Sequence, residues 1–111
     1  ATGCRTDCSW FGFKITVKES AGFTRTELAQ VLDKNSIGNR MLFGGNLVRQ
    51  PAFVQLNVDD PQSFRVATPL PGSDEIMANT LFLGTYPGVT SSMLAHEIKV
   101  ISEFAFKFSK N

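Results

Sequence analysis

The residues best suited to chemistry in this chain lie in residues 38–51, which have the sequence Gly-Asn-Arg-Met-Leu-Phe-Gly-Gly-Asn-Leu-Val-Arg-Gln-Pro. An apolar run stops at two glycines, and Asn46 and Arg49 follow closely. Glycines that break a strand let the backbone approach another group or adopt positive φ. A guanidinium matches the geometry of a phosphate, so Arg40, Arg49 and Arg65 are candidate anion ligands, although each taken singly is more often a surface residue. The pattern alone favours the simpler alternative, a tight connection between a strand and a short helix.

Other catalytic patterns are sparse. The sequence has no glycine-rich phosphate loop of Walker or Rossmann spacing and no nucleophile elbow. Its only histidine, His96, lies off the apolar stripe of the last predicted helix, which predicts a solvated side chain. Asp59 and Asp60 are adjacent, but nothing apolar beside them would make one an acid and the other a base. We therefore predict no catalytic residue in this chain.

The two cysteines, Cys4 and Cys8, stand near the N-terminus with three residues between them. Two thiols cannot complete a tetrahedral metal site, and His96 is far away in the sequence. We therefore predict no metal site and two free thiols in a reducing, cytoplasmic setting.

Composition bounds the class of protein. Hydrophobic residues make up 42% of the 111 residues, which predicts a folded core and excludes disorder. A net charge of +1 with scattered signs gives no nucleic-acid footprint, and no apolar run is long enough to span a bilayer. Residues 1–8 lack an initiating Met and the apolar segment of a signal peptide, so we expect them to be the cut end of a longer protein.

The first half of the chain shows clear local signals. Alternating hydrophobicity over residues 11–17 predicts a half-buried strand. Thr24 and Glu27 form a capping box, which predicts a helix that ends near Asn35. A second strand is predicted over residues 39–43, before the glycine break.

The middle of the chain is harder to interpret. A short helix is predicted over residues 47–53, with an interruption near Pro51. Residues 54–72 are predicted to form a long, partly extended connection of the kind that is often functional or interfacial, with a short edge strand over 64–67. Ser73 is predicted to cap a brief helix.

The last strand is predicted over residues 80–85, and Thr90 is predicted to cap the longest helix. The apolar stripe of that helix should pack on the sheet and comprises Leu94, Ile98, Ile101, Ala105 and Phe108, widened by Val100 and Phe104.

These elements predict an α+β fold, a two-layer sandwich with helices on one face of a small mixed or antiparallel sheet. We predict a single domain over residues 9–108, an unstructured N-terminal segment over 1–8 and a tail over 109–111.

Three motifs carry a family resemblance: Ser9-Trp10-Phe11-Gly12-Phe13, Arg40-Met-Leu-Phe-Gly-Gly-Asn-Leu-Val-Arg-Gln-Pro51 and Leu83-Gly-Thr-Tyr-Pro-Gly-Val-Thr90. In this order and spacing they resemble the C-terminal small domain of the DegT/DnrJ/EryC1/StrS family of fold type I pyridoxal-phosphate sugar enzymes. The similarity covers residues 9–106. It is strongest to the CDP-4-keto-6-deoxyglucose 3-dehydratase branch, the lipopolysaccharide-sugar enzymes of the RfbH type.

Departures from the aminotransferase pattern support that branch. Family aminotransferases open the first strand with a His, where this chain has Phe11. Gly44, Gly45 and Val48 replace parts of a second, Pro-Leu-His element. Both departures are shared with the dehydratases.

The resemblance implies a homodimeric enzyme whose large N-terminal domain holds pyridoxamine phosphate and an iron–sulfur cluster. In these enzymes a His of the large domain replaces the usual Schiff-base Lys, and neither it nor the cluster ligands have counterparts here. This chain alone is therefore expected to bind no cofactor. The small domain supplies one wall of the pocket for a nucleotide-linked sugar, which on this sequence comprises Phe11, Arg40, Phe43, Gly44, Gly45, Asn46 and Arg49.

One departure concerns charge. The dehydratases carry an Arg after the residue that matches Asp74, where this chain has Glu75. A carboxylate there would repel a nucleotide diphosphate or a cofactor phosphate.

Three hypotheses remain open. The chain is the small domain of a pyridoxamine-phosphate-dependent deoxysugar dehydratase, inactive without its large domain. Alternatively, it is the product of a truncated gene that acts as a binding or assembly module without chemistry. A weaker alternative is the small domain of a sugar aminotransferase, which the missing His residues disfavour. A small domain alone would expose its docking face, so we also predict a homo-oligomer, most simply a dimer.

Overall fold

A three-stranded antiparallel sheet organises the structure, a computed structural model that describes residues 7–109. The strands are β1 (Gly12–Thr16), β2 (Asn39–Met41) and β3 (Thr80–Gly84). Their order is β1-β3-β2, so the last strand in sequence lies in the centre and pairs with both others.

Helices connect and cover the strands. They are α1 (Arg25–Lys34), α2 (Pro51–Asp59), α3 (Pro71–Asn79) and α4 (Ser91–Phe108), with 3₁₀ helices at Glu19–Ala21 and Leu47–Arg49. Within residues 7–109, no helix combines the length and the hydropathy needed to cross a bilayer.

The core lies between one face of the sheet and helices α1 and α4. Leu81 and Leu83 of β3 point into it, since residues two apart in a strand share a face. The buried apolar side chains are Val17, Leu28, Ala29, Leu32, Ile37, Leu81, Leu83, Val100 and Phe104. This arrangement of helices against a small antiparallel sheet confirms the predicted α+β fold.

Both helix N-termini with strong sequence signals form as predicted. The Thr24 hydroxyl accepts a hydrogen bond from the Glu27 amide at 3.2 Å, and the Glu27 carboxylate accepts one from the Thr24 amide at 2.7 Å. Thr90 likewise accepts a hydrogen bond from the Met93 amide at 3.2 Å. Each contact satisfies a backbone donor that the first helical turn would leave unpaired.

The predictions for residues 47–72 are confirmed in part, because residues 47–49 and 51–53 are helical and residues 60–70 form a connection without helix or strand. The predicted interruption separates the 3₁₀ helix Leu47–Arg49 from α2, which begins at Pro51 because the fixed φ and missing N–H of proline suit the first helical position. Residues 54–59, which were predicted to belong to the partly extended connection, instead continue α2. The edge strand predicted over 64–67 is absent from the described sheet. Phe64 packs instead on Phe53 of α2, with ring centroids 5.6 Å apart.

The cap of α3 is also corrected. The helix begins at Pro71 and its N-cap is Leu70, three residues before the predicted cap Ser73. As in α2, a proline fixes the first turn.

The apolar stripe of α4 faces the core only in part. Val100 and Phe104, predicted to widen the stripe, are its buried members, whereas Leu94 and Ile98 are exposed. The helix is apolar on two sides, and the short sheet covers only one of them.

Candidate functional site

Three phenylalanine rings meet on the face of the sheet opposite the core. The ring centroids of Phe11, Phe43 and Phe82 are 5.9, 5.7 and 5.8 Å apart in the three pairs. Phe11 is 72% exposed and Phe43 is 76% exposed, so this ring cluster presents apolar surface to solvent. Contiguous exposed apolar surface of this kind marks binding sites.

The ring cluster corrects one detail of the predicted first strand. Phe11 was expected to share a face with Phe13, but β1 begins at Gly12. Phe13 pairs with buried Leu83 on the core face, whereas the Phe11 ring contacts Phe82 on the other face. Phe11 thus lies outside the regular pleat, and its side chain reaches the opposite side of the sheet.

Two backbone features let the rings approach. A Cβ at Gly12 would lie 2.6 Å from Cδ2 of Phe82, so only glycine leaves room for that ring. Phe43 has φ +42°, in the left-handed region that bulky residues rarely adopt. Phe43 lies two residues after the end of β2, in a turn in which its amide donates a hydrogen bond to the Met41 carbonyl at 2.9 Å.

Cations flank the central ring. Lys14 of β1 and Arg40 of β2 both stand opposite Phe82 in the pairing register, so all three lie on one face of the sheet. The three strands contain no Asp or Glu. The Arg40 guanidinium donates to the Asn39 carbonyl at 3.2 Å and is exposed. This face therefore combines aromatic surface with positive charge.

The double glycine packs against helix α3. Gly45 has φ +64°, and a Cβ there would lie 2.6 Å from Cβ of Met77 and 2.8 Å from its Cα. The predicted need for positive φ and for close backbone approach thus holds at Gly45, and the group approached is α3. The Gly44 carbonyl accepts a hydrogen bond from the Gln50 amide group at 2.6 Å.

Asp74 of α3 binds two residues of the same segment, a set that we call the Asp74 network. The Asn46 side-chain amide donates to Asp74 Oδ1 at 2.9 Å. The Arg49 guanidinium pairs with both carboxylate oxygens, through Nε to Oδ1 and through Nη2 to Oδ2 at 3.0 Å. Asn46 is only 2% exposed, and its Oδ1 also accepts from the Val48 amide at 3.3 Å.

The network shifts the ionisation of its charged members. Hydrogen bonds from Arg49 and then from Asn46 lower the pKa of Asp74 below its ordinary value. The same pairing with Asp74 raises the pKa of Arg49. Asp74 is thus a carboxylate paired with Arg49. This is the only ion pair among residues 7–109.

The structure divides the sequence-predicted pocket residues into two groups. Phe11 and Phe43 meet in the ring cluster, and Arg40 stands opposite Phe82 of that cluster in the pairing of β2 with β3. Gly45, Asn46 and Arg49 instead attach the loop to α3, and the Gly44 carbonyl accepts a hydrogen bond from Gln50 within the loop. Their predicted role toward a substrate stays a prediction.

Sequence reasoning missed Phe82 and Lys14. The signal for Phe82 was the unbroken apolar run Leu81-Phe82-Leu83, which predicts a strand with apolar side chains on both faces. Lys14 gave no signal before the register was known, because its position opposite Phe82 depends on pairing between distant segments.

The remaining candidates lie apart from the ring cluster. His96 is exposed, as predicted, and its Nε2 lies 3.0 Å from the Asn35 carbonyl oxygen. Cys8 is an exposed free thiol, and Cys4 lies outside the described residues. Within residues 7–109, no three His, Cys, Asp or Glu side chains are grouped so that they could hold a metal ion.

Comparison with known proteins gives a consistent set of relatives. Residues 2–102 match the model of the DegT/DnrJ/EryC1/StrS aminotransferase family. The chain is 44% identical over 103 residues to a dTDP-4-dehydro-2,6-dideoxy-D-glucose 3-dehydratase of Saccharopolyspora spinosa, covering 93% of this chain and 21% of that protein. It is 43% identical over 100 residues to the lipopolysaccharide biosynthesis protein RfbH of Salmonella typhimurium, covering 90% of this chain and 22% of that protein. The chain therefore spans about a fifth of the length of these relatives.

A solved structure shares the fold. A GDP-4-keto-6-deoxymannose-3-dehydratase, crystallised with a trapped PLP-glutamate geminal diamine, superposes with a TM-score of 0.57 at 26% sequence identity. The match covers 81% of this chain and 22% of that one.

Proposed function

The chain belongs to the DegT/DnrJ/EryC1/StrS aminotransferase family, and we propose that it is a fragment or stand-alone copy of the C-terminal domain of a nucleotide-sugar 3-dehydratase. In this proposal, residues 9–108 form one domain that supplies a wall of the substrate pocket and no reactive group. The complete enzyme acts in the cytoplasm, in deoxysugar or lipopolysaccharide biosynthesis. The names of the relatives support the reaction class.

The observation that carries the proposal is the ring cluster. Ligand pockets are lined largely by aromatic and apolar side chains with a few polar groups that fix orientation. Phe11, Phe43 and Phe82 supply such a surface, and Arg40 supplies a charged group beside it. Arg40 suits the diphosphate of a nucleotide-linked sugar, because its guanidinium has no carboxylate partner among the described residues.

The cofactor of the complete enzyme is assigned outside this chain. A resident pyridoxal or pyridoxamine phosphate needs a cradle for its phosphate and partners for its ring. The ring cluster offers aromatic surface, and Arg49 is already paired with Asp74. We therefore assign this cofactor, and the iron–sulfur cluster implied by the family resemblance, to the large domain, and we derive no step of the reaction through either group.

We propose that the partner of this chain is that large domain. We also propose that the complete enzyme is a homo-oligomer. A second apolar surface supports the need for a partner. It is a groove of about 400 Å³ between β1 and α4, and its exposed lining includes Phe13, Tyr86, Leu94 and Ile98. Because α4 is apolar on two sides, the same surface favours a second candidate function, that of a binding or assembly module without chemistry.

The proposed wall is testable in a chimera. The matched fifth of the Saccharopolyspora relative is replaced by this chain, and 3-dehydration is measured with the nucleotide-linked sugar. Substituting Phe43→Ala should lower kcat/KM by about tenfold or more, since burying a Phe side chain against a ligand contributes about 1.5–3 kcal/mol.

Met93→Ala is the matched control, because Met93 is an exposed apolar side chain on α4, away from the ring cluster. It should leave kcat/KM unchanged. A folded, cofactor-loaded chimera whose kcat/KM is insensitive to Phe43→Ala and to Phe11→Ala would exclude the proposed wall. Turnover by this chain alone would exclude the division of labour between the domains.

A further inference from the structure

We propose that Asp74 is a positioning residue for the ring cluster: through Asn46 and Arg49 it holds the loop that carries Phe43 in place over Phe82. The hydrogen bonds of the Asp74 network connect helix α3 to the residues directly after the double glycine. The functional meaning of this inference rests on the proposed pocket wall, whereas its structural content does not.

The conformation of Phe43 requires external support. A bulky residue at φ +42° is unfavourable, and such residues persist where the surrounding structure over-determines them. The Phe43 ring cannot supply all of that support, because it is 76% exposed. The remaining constraint must come from the chain on either side of Phe43.

On the N-terminal side, Phe43 is held by β2, which ends two residues earlier at Met41. On the C-terminal side, Gly45 packs on Met77 of α3, and Asn46 is buried and bonded to Asp74. Three residues later, Arg49 binds the same carboxylate through two nitrogen atoms. Paired, charge-assisted contacts of this kind fix orientation as well as adding energy.

Asp74 is the only charged acceptor in this arrangement. The buried Asn46 amide and the Arg49 guanidinium both depend on its two oxygens. Removing the Asp74 carboxylate would leave the buried Asn46 amide without an acceptor and would release Arg49. The loop would then shift away from α3. Phe43, three residues before Asn46, would then leave its place over Phe82.

The experiment is a comparison of ring contacts by NMR in phenylalanine-labelled protein, using the whole 111-residue chain. In wild type, nuclear Overhauser cross-peaks are expected between the Phe43 and Phe82 rings, whose centroids are 5.8 Å apart. Asp74→Ala should abolish these cross-peaks, and Asp74→Asn, which keeps one oxygen for Asn46, should weaken them. Cross-peaks between the core rings Phe23 and Phe104, at 4.8 Å, should persist in every folded variant.

Glu75→Ala is the matched control, since it removes an exposed carboxylate from the next position of the same helix. It should leave the Phe43–Phe82 cross-peaks unchanged, and Asp74→Glu should restore part of their intensity. Unchanged cross-peaks in Asp74→Ala and Asp74→Asn would overturn the inference. If Asp74→Ala does not fold, unchanged cross-peaks in Asp74→Asn alone would overturn it.

A second readout separates this inference from the proposed function. In the chimera, Asp74→Asn should raise KM more than it lowers kcat, because a displaced wall weakens binding while the reacting groups stay in the large domain. If Asp74→Asn weakens the ring contacts but the chimera binds no nucleotide-linked sugar, the proposed function is contradicted and the positioning role is supported.

Discussion

In the loop that follows β2 and contains Gly44 and Gly45, some residues face solvent and others attach the loop to α3. Phe43 is 76% exposed, whereas Asn46, three residues later, is 2% exposed and bonded to Asp74. Asn46 and Arg49 belong to one sequence motif, yet no sequence pattern indicated that both contact one carboxylate 25 or more residues away. Residue type predicted polar contacts for these side chains and did not identify their partner.

The first prediction concerns Asn46. Asn46→Ala should lower the free energy of unfolding by about 1–3 kcal/mol, because it removes a buried side chain whose amide and carbonyl are both hydrogen-bonded. Urea denaturation measures the change. Asn57→Ala, at an exposed position of α2, is the control and should have little effect. Equal destabilisation by the two substitutions would contradict the role assigned to Asn46.

The second prediction concerns Gly45. Gly45→Ala should destabilise the fold by more than about 1 kcal/mol, because it combines positive φ with a Cβ 2.6 Å from Met77. Gly72→Ala provides the contrast, since a Cβ there meets nothing within 4 Å and the residue is helical. It should be neutral or stabilising. Thermal unfolding midpoints that fall in the reverse order would show that the loop does not pack on α3 as described.

At the scale of elements, prediction succeeded where the signal was local. The capping box of α1 and the Thr90 cap of α4 each lie within four residues, so the sequence specifies them directly. Pro51 was predicted to interrupt a helix, and in the structure it begins α2 directly after the 3₁₀ helix Leu47–Arg49 and the cap residue Gln50. The ring cluster needs three segments that are distant in sequence, so the pairing register had to be known first.

The third prediction concerns the start of α1. Hydrogen bonds from the Thr24 amide and then from its hydroxyl lower the pKa of Glu27 in the folded protein. A lowered folded-state pKa adds stability that is complete above the unfolded value of about 4.3 and is lost as the pH falls through the folded value. Stability should therefore fall on acidification, and less so in Glu27→Gln. Unfolding midpoints measured from neutral to acid pH provide the check, and parallel curves for both proteins would be the contrary result.

At the scale of the whole molecule, apolar surface is exposed on both sides of the sheet. One side carries the ring cluster, and the other carries the groove between β1 and α4, where Tyr86 is 60% exposed. The chain also spans about a fifth of the length of its relatives. Both facts fit a unit that contributes surface to a larger assembly. In the function proposed above, this chain supplies that surface and the large domain supplies the reactive groups.

The most direct test of this division is an activity measurement on the purified 111-residue chain. The chain is incubated with pyridoxamine phosphate, a reductant and a nucleotide-linked 4-keto-6-deoxyhexose, and both the deoxygenated product and the absorbance of the cofactor are followed. We predict no product and no change in the cofactor spectrum, with activity restored in the chimera that supplies the large domain. Formation of the 3-deoxy product by the chain alone would contradict the account.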